Sequence, residues 1–314
     1  MSEHSVKQPN LIKEIAVIGL GKMGRGIALQ LQEKGWRVVA YNRSHKKTDD
    51  LATAGLIPTY SYKKLIGNYQ STPRIVWIML TAGAPVEEAL FGDDGLVKHL
   101  EPGDIVIDAG NSYYKDAKRR EQILKDKGIH FLDVGVSGGP AGARHGACLM
   151  IGGQTELFHY LEPLFKDLSI EDGFAHFQGA GAGHFVKMVH NGIEYGMMQA
   201  IAEGFEVMKK SPYSVNLTEV TRIYNQGSVI ESRLIGWLKK AYEENGENLE
   251  TISGSVNSTG EGEWTVKTAE EMGIEVPIIK GSFEFRQQSQ QKPSYTGQVV
   301  SALRGQFGGH EVKK

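Results

Sequence analysis

A glycine-rich turn enclosed by two apolar runs is the feature that most restricts the fold of this chain. The sequence EIAVIGLGKMGRGIALQLQEKGWRVVAYNRS starts at Glu14, and its motif GLGKMG separates a short apolar run from a helix-compatible stretch. A second apolar run, Val38 to Tyr41, follows that stretch. A strand, a glycine turn, a helix and a second strand in this order predict one unit of a parallel β-sheet.

The same turn has the spacing of a dinucleotide-binding site. The second strand ends about 21 residues after Gly21, as the dinucleotide fingerprint requires. Glycines allow the backbone to approach a pyrophosphate, which then accepts hydrogen bonds from the first N–H groups of the following helix. We therefore predict that a dinucleotide cofactor contacts the turn residues Gly19, Leu20, Gly21, Lys22, Met23 and Gly24.

The residues after the second strand bear on which nicotinamide cofactor binds. An acidic residue there would accept hydrogen bonds from the ribose hydroxyls of NAD, but this chain has Asn42, Arg43 and Ser44. An arginine at this point can pair with the 2′-phosphate of NADP, and Lys46 and Lys47 follow it. A solvated basic turn is the alternative interpretation. We expect NADP to be preferred, with NAD as the alternative cofactor.

Further apolar runs extend the sheet, and a change of pattern marks a second domain. Candidate strands are Arg74 to Leu80, Asp104 to Gly110 and His130 to Gly139. After residue 180 such runs disappear, and helix-compatible segments continue almost to the end. We predict an α/β Rossmann-type dinucleotide-binding domain over residues 1–180. An all-α domain for substrate binding and oligomerisation, ending in a tail, is expected over residues 181–314.

The longest predicted helix, His184 to Met208, would extend over roughly 37 Å. Its apolar residues move steadily around the helix axis, which is typical of a helix at the centre of a helical domain or in a subunit interface. These residues are Phe185, Val189, Ile193, Met197, Ile201 and Phe205.

Polar residues gather on one side of this helix. At about 100° per residue they fall within an arc of about 100°, opposite Phe185 and Val189, which we expect to face the core. The polar residues are Lys187, His190, Asn191 and Glu194. Two interpretations remain open on spacing alone: a solvated helix face, or a set of functional side chains.

A metal site on this helix is disfavoured. His190 and Glu194 are four residues apart and can face one ion. Lys187 lies one turn away on the same side and would repel a cation. No second histidine pair has zinc-like spacing, and we expect His184 to point elsewhere. The sequence therefore predicts that no metal is bound.

Charge and cysteine content exclude other classes of protein. With 35 Lys+Arg against 37 Asp+Glu the net charge is −2, so nucleic acid is not an expected partner. Cys148 is the only cysteine, which excludes an intrachain disulfide. The polar opening and the absence of a long apolar run indicate neither a secretion signal nor a membrane span. We expect a cytoplasmic protein.

Several longer motifs occur in a fixed order along the chain. They are GLGKMG with NRS, DAGNS, GVSGGPAGARHGACLMIGG, GHFVKMVHNGIEYG and RGQFGGH. Together they resemble the 6-phosphogluconate dehydrogenase family of the decarboxylating type. The similarity covers almost the whole chain and is most specific from Lys187 to Tyr195. The length resembles the short form of that family.

The resemblance implies an enzyme of the pentose phosphate pathway and of gluconate utilisation. It would convert 6-phosphogluconate to ribulose 5-phosphate and CO2 while NAD(P) is reduced. By position, Lys187 is then the general base and later the acid, and Glu194 is the acid that protonates the product carbon. The implied substrate-binding residues are Asn111, Ser137, Gly138, Gly139, His190, Asn191, Tyr195, Arg286, Arg304 and His310, and Asn111 would also contact the cofactor.

The resemblance also bears on oligomeric state and on individual positions. In the longer enzymes the tail that carries Arg304 and His310 completes the site of a neighbouring subunit, so a homodimer or homotetramer is expected. Pro140, Thr259 and Thr81 depart from the family pattern, where the long enzymes have a glutamate and two lysines. These departures affect the phosphate contacts and the cofactor preference and leave the central chemistry intact.

The expected chemistry suits these residue types. A lysine acts as a base only when it is neutral, so burial must lower the pKa of Lys187. The ammonium formed can return its proton to the keto oxygen, so that CO2 is lost without a metal. The turn Ser137-Gly138-Gly139 suits hydrogen bonds to a carboxylate or hydroxyls, with an ordinary loop as the alternative.

Two other functions are compatible with a nicotinamide-binding domain. One is a β-hydroxyacid dehydrogenase of the 3-hydroxyisobutyrate type, which has a similar lysine but releases no CO2. The other is a non-catalytic nicotinamide sensor. Release of CO2 coupled to cofactor reduction separates both from the expected reaction.

Overall fold

The structure is a computed structural model that describes residues 11–258, 260–309 and 311–312. The chain divides into two compact units, Met1–Lys187 and Met188–Lys314. The first unit is an α/β structure, and the described part of the second is helical. The fold class predicted from the sequence is therefore confirmed.

The first unit is built on an eight-stranded sheet. Its strands are β1 (Glu14–Ile18), β2 (Arg37–Tyr41), β3 (Ile57–Thr59), β4 (Ile75–Ile78), β5 (Ile105–Asp108), β6 (His130–Ser137), β7 (Ala147–Gly153) and β8 (Ser169–Gln178). Their order across the sheet is β3-β2-β1-β4-β5-β6-β7-β8. Neighbouring strands are parallel, apart from the antiparallel pair β6 and β7.

The strand order reverses between β1 and β4. From β1 the chain proceeds to β2 and β3 on one side, and then crosses to β4, β5 and β6 on the other. The loops that follow β1 and β4 therefore diverge at the carboxyl ends of these strands. Open α/β sheets bind ligands at such a point, and the glycine turn directly follows β1.

Helices cover both faces of the sheet, as apolar parallel strands require. They are α1 (Lys22–Glu33), α2 (His45–Ala52), α3 (Tyr62–Gly67), α4 (Ala84–Phe91), α5 (Tyr114–Lys125), α6 (Gly139–His145) and α7 (Thr155–Leu168), with a 3₁₀ turn at Leu96–Lys98. One apolar cluster contains Ile27 of α1 and Phe165 of α7. The other contains Leu65 of α3, Leu90 of α4 and Leu124 of α5.

The apolar runs identified five of the eight strands correctly, namely β1, β2, β4, β5 and β6. Strands β3, β7 and β8 were not predicted. β3 is only three residues long and contains Pro58, and β7 ends in two glycines. β8 lies at the sheet edge and exposes Glu171 and Asp172. β3 and β8 form because a neighbouring strand provides hydrogen-bond partners, which no local apolar pattern reveals. β7 does begin with an apolar run, Ala147 to Ile151, and was missed.

The second unit consists of helices, and the division between the units falls inside the longest one, α8. The remaining helices follow without intervening strands in the described residues. Their bounds are α8 (Ala182–Lys209), α9 (Leu217–Tyr224), α10 (Arg233–Asn245), α11 (Glu261–Glu271), α12 (Pro277–Ser289) and α13 (Tyr295–Gly308). The long helix predicted from His184 to Met208 is confirmed.

The core of the second unit is an apolar cluster of helix side chains. Met198 and Phe205 of α8 belong to it, together with Leu238 of α10 and Val299 and Leu303 of α13. None of the helices in the described ranges combines the length and apolar character needed to cross a bilayer.

The prediction that apolar residues of α8 face the core holds for Phe205, which is buried, but not for the first half of the helix. Ile193 is 52% exposed and Met197 is 44% exposed, and Phe185 and Val189 are only half-buried. Lys187, from the polar arc, is instead buried. Periodicity identifies the faces of a helix, but the elements packed around it decide which face is covered.

Candidate active site

The three glycines of the turn have different surroundings. Gly19 has φ +93°, and a Cβ there would lie 2.3 Å from the backbone oxygen of Met79. A Cβ on Gly24 would lie 1.8 Å from the backbone oxygen of Gly19. A Cβ on Gly21 would meet no described atom within 4 Å. Packing therefore requires the first and third glycines, whereas the second leaves open space at the start of α1.

That open space fits a pyrophosphate. Gly21 is the N-cap residue of α1 and has no side chain to cap the helix, and the first turn contains no acidic residue. The N–H groups at this end and the positive end of the helix dipole therefore favour a phosphate. Of the other turn residues, Lys22 is exposed, Met23 is half-buried and Leu20 is buried.

Asn42 links the glycine turn to the loop that follows β2. Its Oδ1 accepts a hydrogen bond from the backbone N–H of Leu20 at 2.8 Å, and its Nδ2 donates one to the backbone oxygen of Ser44 at 3.2 Å. Arg43 and Ser44 are both exposed. The three residues predicted to select the cofactor thus lie beside the turn, and Asn42 holds the loop in place.

More of the predicted site residues lie at the carboxyl ends of two parallel neighbours, β5 and β6. Asn111 follows β5 and is exposed, and Ser137 ends β6. Gly138 and Gly139, with φ +118° and +63°, then turn the chain into α6. Glycine adopts this left-handed backbone without the steric cost of a Cβ. These residues share the sheet edge with the glycine turn.

Two of the positions that depart from the family pattern are described. Thr81 is exposed after β4, and Pro140 lies in the first turn of α6. A proline there breaks no helix hydrogen bond, because the first N–H groups have no partner within the helix. Thr259 and His310 lie outside the described residues.

Lys187 is in the second turn of α8 and is buried, with 8% of its surface exposed. A Cβ on Gly135 of β6 would lie 2.3 Å from the Cβ of Lys187, so the strand passes directly beside the lysine. Burial disfavours the charged form of a lysine. The position therefore suits a lysine that accepts and returns a proton.

A fully buried group of charged side chains lies in the same unit. Arg120 donates from Nη1 to Oδ2 of Asp108 at 2.8 Å. The Nε2 of His184 lies 3.6 Å from the same oxygen, and all three side chains are inaccessible to solvent. Asp133 of β6 is also buried, and it accepts hydrogen bonds from the backbone N–H groups of Gly181 and His184.

These groups change each other's proton affinity. Burial alone would raise the pKa of Asp108, but His184 and Arg120 outweigh it and lower the pKa. Burial alone would lower the pKa of His184, but Asp108 and Asp133 raise it. Burial raises the pKa of Asp133 against the attraction of His184.

His184 lies beside Asp108, in agreement with the expectation that it points away from the side of α8 that carries His190 and Glu194. The buried group itself was not predicted from the sequence. Asp108 and Asp133 each interrupt an apolar strand, in DIVIDAG and HFLDVG. A carboxylate in an otherwise buried strand needs a partner. That pattern was the available signal, but it does not reveal which residue the partner is.

Two arginines, Arg286 and Arg304, are buried in the second unit. The guanidinium of Arg286 on α12 lies 3.2 Å from the ring centroid of Tyr195 on α8, and both residues are buried. Burial lowers the pKa of Arg286 to about 10. Within the described residues, neither the Nη2 of Arg286 nor the hydroxyl of Tyr195 has a hydrogen-bond partner. A buried cation with an unused donor is the environment that an anionic ligand satisfies.

Arg304 of α13 belongs to the same group of charges. It is buried, its burial lowers its pKa, and Glu194, Tyr195 and Glu261 act on it electrostatically. Arg286 and Arg304 in turn repel each other. Arg304 and Arg286, which the resemblance places near the phosphate, therefore lie close enough to interact electrostatically.

The other polar residues of α8 contact each other. The Nδ1 of His190 lies 3.0 Å from the Oδ1 of Asn191 and 3.8 Å from the Oε2 of Glu194. Asn191 is buried, whereas about a quarter of the Glu194 side chain, 23%, is exposed. The described residues contain no group of three or more His, Cys, Asp or Glu side chains able to hold a metal ion.

Family models match most of the chain. Residues 14–175 match the NAD binding domain of 6-phosphogluconate dehydrogenase. Residues 183–303 match the C-terminal domain of 6-phosphogluconate dehydrogenase. The first match assigns a nicotinamide-dinucleotide-binding domain to the unit that contains the glycine turn.

Curated relatives agree with these models. The chain is 44% identical over 301 residues to a putative 6-phosphogluconate dehydrogenase, YqeC, of Bacillus subtilis, covering 96% of this chain and 99% of that protein. It is 37% identical over 302 residues to an NAD(+)-dependent, decarboxylating 6-phosphogluconate dehydrogenase of Haloferax volcanii, with 96% and 99% covered.

A solved structure extends the comparison to the fold. The 6-phosphogluconate dehydrogenase of Plasmodium falciparum superposes with a TM-score of 0.78 at 29% identity. The match covers 92% of this chain and 70% of that one. The resemblance inferred from the motifs is thereby confirmed: the chain belongs to the 6-phosphogluconate dehydrogenase family.

Proposed function

We propose that this chain oxidises and decarboxylates 6-phosphogluconate to ribulose 5-phosphate and CO2 with NAD(P) as the acceptor. The observation that carries the proposal is the buried Lys187 on α8, the helix that also carries Asn191 and Glu194. Lysine side chains are mostly exposed in soluble proteins, so a lysine in a buried position is unusual. An enzyme that must remove a hydroxyl proton at neutral pH needs such a base.

Lys187 is the proposed base for the C3 hydroxyl of the sugar acid. In the neutral form its Nζ would accept the hydroxyl proton. A nicotinamide held at the glycine turn would supply the acceptor for the hydride that leaves C3. The ammonium of Lys187 then donates its proton to the C3 oxygen as the carboxyl group leaves as CO2. Its buried position beside Gly135 supports this cycle, because burial in general disfavours the charged form of a lysine.

Glu194 is the proposed acid for the last step, in which C1 of the enediol takes up a proton. A partly exposed carboxyl group can exchange protons with solvent between turnovers, which suits this role. His190 and Asn191 are proposed to bind the hydroxyls of the substrate, with Asn111 and the turn Ser137-Gly138-Gly139 as further contacts.

Arg286 and Arg304 are proposed to bind the phosphate group. Two buried guanidinium groups that repel each other gain most from a dianion, which neutralises both and accepts several hydrogen bonds. The unused Nη2 of Arg286 supports the same assignment. His310 is proposed as an additional contact on the basis of its motif.

NADP is the proposed preferred cofactor. Its 2′-phosphate would pair with the exposed Arg43, and Asn42 keeps that loop beside the glycine turn. The relative from Haloferax volcanii is named as NAD(+)-dependent, so the preference requires a direct test. Comparison of kcat/KM for the two cofactors provides it, and a preference for NAD of about tenfold would refute the assignment.

The exposed apolar side of α8 supports a proposal of a homodimer or homotetramer. Ile193 and Met197 are exposed on it, and Ile278 of α12, beside Gly196, is 71% exposed. Large apolar side chains that cluster on a surface are typical of subunit contacts. Sedimentation analysis of the purified protein tests this.

The activity is tested with a panel of substrates on the purified protein. We expect 6-phosphogluconate to reduce the cofactor with release of CO2, and 3-hydroxyisobutyrate to give little reduction. Reduction by 3-hydroxyisobutyrate without CO2 would favour the β-hydroxyacid dehydrogenase alternative. Cofactor binding without turnover of any sugar acid would favour a sensor.

A further inference from the structure

The first turn of α8 is capped by a residue far from it in sequence. The Oδ1 of Asp133 accepts the N–H of Gly181 at 2.6 Å, and its Oδ2 accepts the N–H of His184 at 2.7 Å. The first N–H groups of a helix lack partners within the helix, and a local side chain normally satisfies them. Here a carboxylate from the middle of β6 does so.

Glycines allow the helix to come this close to the sheet. A Cβ on Gly152 of β7 would lie 2.5 Å from the Oδ1 of Asp133 and 2.4 Å from the backbone nitrogen of Gly183. A Cβ on Gly183 would lie 2.6 Å from the backbone oxygen of Asp133. The start of α8 therefore rests directly on β6 and β7, with no side chain between them.

The same strand also passes beside the lysine. Gly135 is two residues after Asp133 on β6, so both residues are on the same face of the strand. Asp133 meets the first turn of α8, and Gly135 meets Lys187 in the second turn. Two consecutive positions on one side of β6 thus contact two consecutive turns of the helix.

Buried charges reinforce this contact. His184, whose N–H binds Asp133, has its ring 3.6 Å from Asp108, which Arg120 also holds. Asp108 ends β5, the strand next to β6. The first turn of α8 is therefore attached to two adjacent strands.

We propose that Asp133 is a positioning residue for Lys187: by capping α8 from β6, it fixes where the lysine amine lies. The proposal rests on the proposed function, because it gives Asp133 a role in the proton transfer made by Lys187. A misplacement of about 1 Å at a reacting group can cost about a hundredfold in rate. A small shift of the start of α8 would therefore move Lys187 and lower the rate of its proton transfer.

A purely structural role is the alternative, and the chain offers a matched control. Asp104 is also buried and also accepts backbone N–H groups, from Arg74 at 2.9 Å and Glu101 at 2.8 Å. It directly precedes β5, at the amino ends of the parallel strands, whereas the glycine turn is at their carboxyl ends. Asp104→Asn should cost stability without any effect on Lys187.

The test compares Asp133→Asn, Asp133→Ala and Asp104→Asn in the full-length protein. For Asp133→Asn we expect kcat with 6-phosphogluconate to fall about tenfold or more, since the amide keeps the shape and loses the charge. KM and cofactor Kd should stay within about threefold. The isotope effect with substrate deuterated at C3 should change, and Asp133→Ala should lose more activity. Asp104→Asn should keep the wild-type kcat and isotope effect.

Amide hydrogen exchange gives a readout that needs no turnover. In the wild type the N–H groups of Gly181 and His184 should exchange much more slowly than the first-turn amides of α12, which have no side-chain cap. Asp133→Ala should accelerate exchange at the N–H groups of Gly181 and His184 without accelerating exchange at the start of α12. If neither Asp133→Asn nor Asp133→Ala folds, the comparison of the two helix starts in the wild type decides. Equally fast exchange at the starts of α8 and α12 would refute the capping role.

The outcomes separate the two proposals. If the wild type does not oxidise 6-phosphogluconate, the proposed function fails, whatever the exchange data show. If the wild type is active but Asp133→Asn retains its kcat, or loses no more than Asp104→Asn, the positioning role of Asp133 is refuted and the function stands.

Discussion

The glycine turn and the arginine cluster are both suited to bind phosphate, but they are built in opposite ways. The turn consists of consecutive residues whose backbone N–H groups and open Gly21 create the site. The arginine cluster consists of Arg286, Arg304 and Tyr195, which come from three different helices. The first site depends on local backbone geometry and the second on tertiary packing. Substitutions should therefore affect them independently.

The largest effect should come from Lys187, which belongs to neither phosphate site. Lys187→Met should lower kcat by about 10³-fold or more, because the base is lost. Cofactor Kd and substrate Kd, measured by equilibrium binding, should remain within about threefold of the wild type. Lys209→Met, at the end of the same helix, is the control and should keep its activity. A Lys187→Met protein with wild-type turnover would remove the basis of the mechanism.

The next largest effect concerns the arginine cluster alone. Arg304→Ala should raise KM for 6-phosphogluconate by about a hundredfold and leave KM for gluconate nearly unchanged, since gluconate lacks the phosphate. Inorganic phosphate should raise the Tm of the wild type more than that of the variant, which keeps the glycine turn. Arg222→Ala, which removes an exposed arginine of the same unit, serves as the control. Equal effects on the two substrates would contradict the phosphate role.

Within the glycine turn, two substitutions should separate binding from folding. Gly21→Ala should weaken cofactor binding about tenfold or more, with stability changed by less than about 1 kcal/mol, because its methyl group enters the open space. Gly24→Ala should instead destabilise the protein by about 2 kcal/mol or more, because its Cβ would clash with the Gly19 backbone. Urea unfolding and cofactor titration measure both. Equal effects of Gly21→Ala and Gly24→Ala on cofactor binding and on stability would contradict this separation.

The smallest effect should be a pH dependence of stability that leaves both phosphate sites intact. His184 has its pKa raised by Asp108 and Asp133 against burial and the nearby Arg120. A raised pKa stabilises the fold fully below the ordinary histidine value and ceases to do so as the pH rises through the folded value. The difference in unfolding free energy between wild type and His184→Asn should therefore shrink as the pH rises above the ordinary histidine value and through the raised pKa of the folded state. An increase over that range would contradict the assignment.

The difference between local backbone geometry and tertiary packing also explains which features could be predicted from the sequence. The motif GLGKMG and the strands around it are contiguous, so the spacing of a few residues identifies the turn and the first β-α-β unit. The long helix was likewise predicted from a contiguous segment. The contact between Asp133 and His184 joins residues 51 positions apart. It depends on where the start of α8 packs along β6, and no local sequence pattern specifies that position.

The error about α8 has a similar cause. Its apolar residues predicted a buried side, yet Ile193 and Met197 are exposed while Lys187 and Asn191 are buried. A periodic pattern gives the helix two faces, and the choice of the covered face depends on distant elements. The arginine cluster was found by motif resemblance for this reason, since a single arginine in a sequence is more often a surface charge.

The central claim is best tested by counting products. The purified wild type should release one labelled CO2 from 6-phosphogluconate labelled at C1 for each cofactor molecule reduced, and Lys187→Met should release none above background. Cofactor reduction without labelled CO2, or equal CO2 release by the two proteins, would contradict the account.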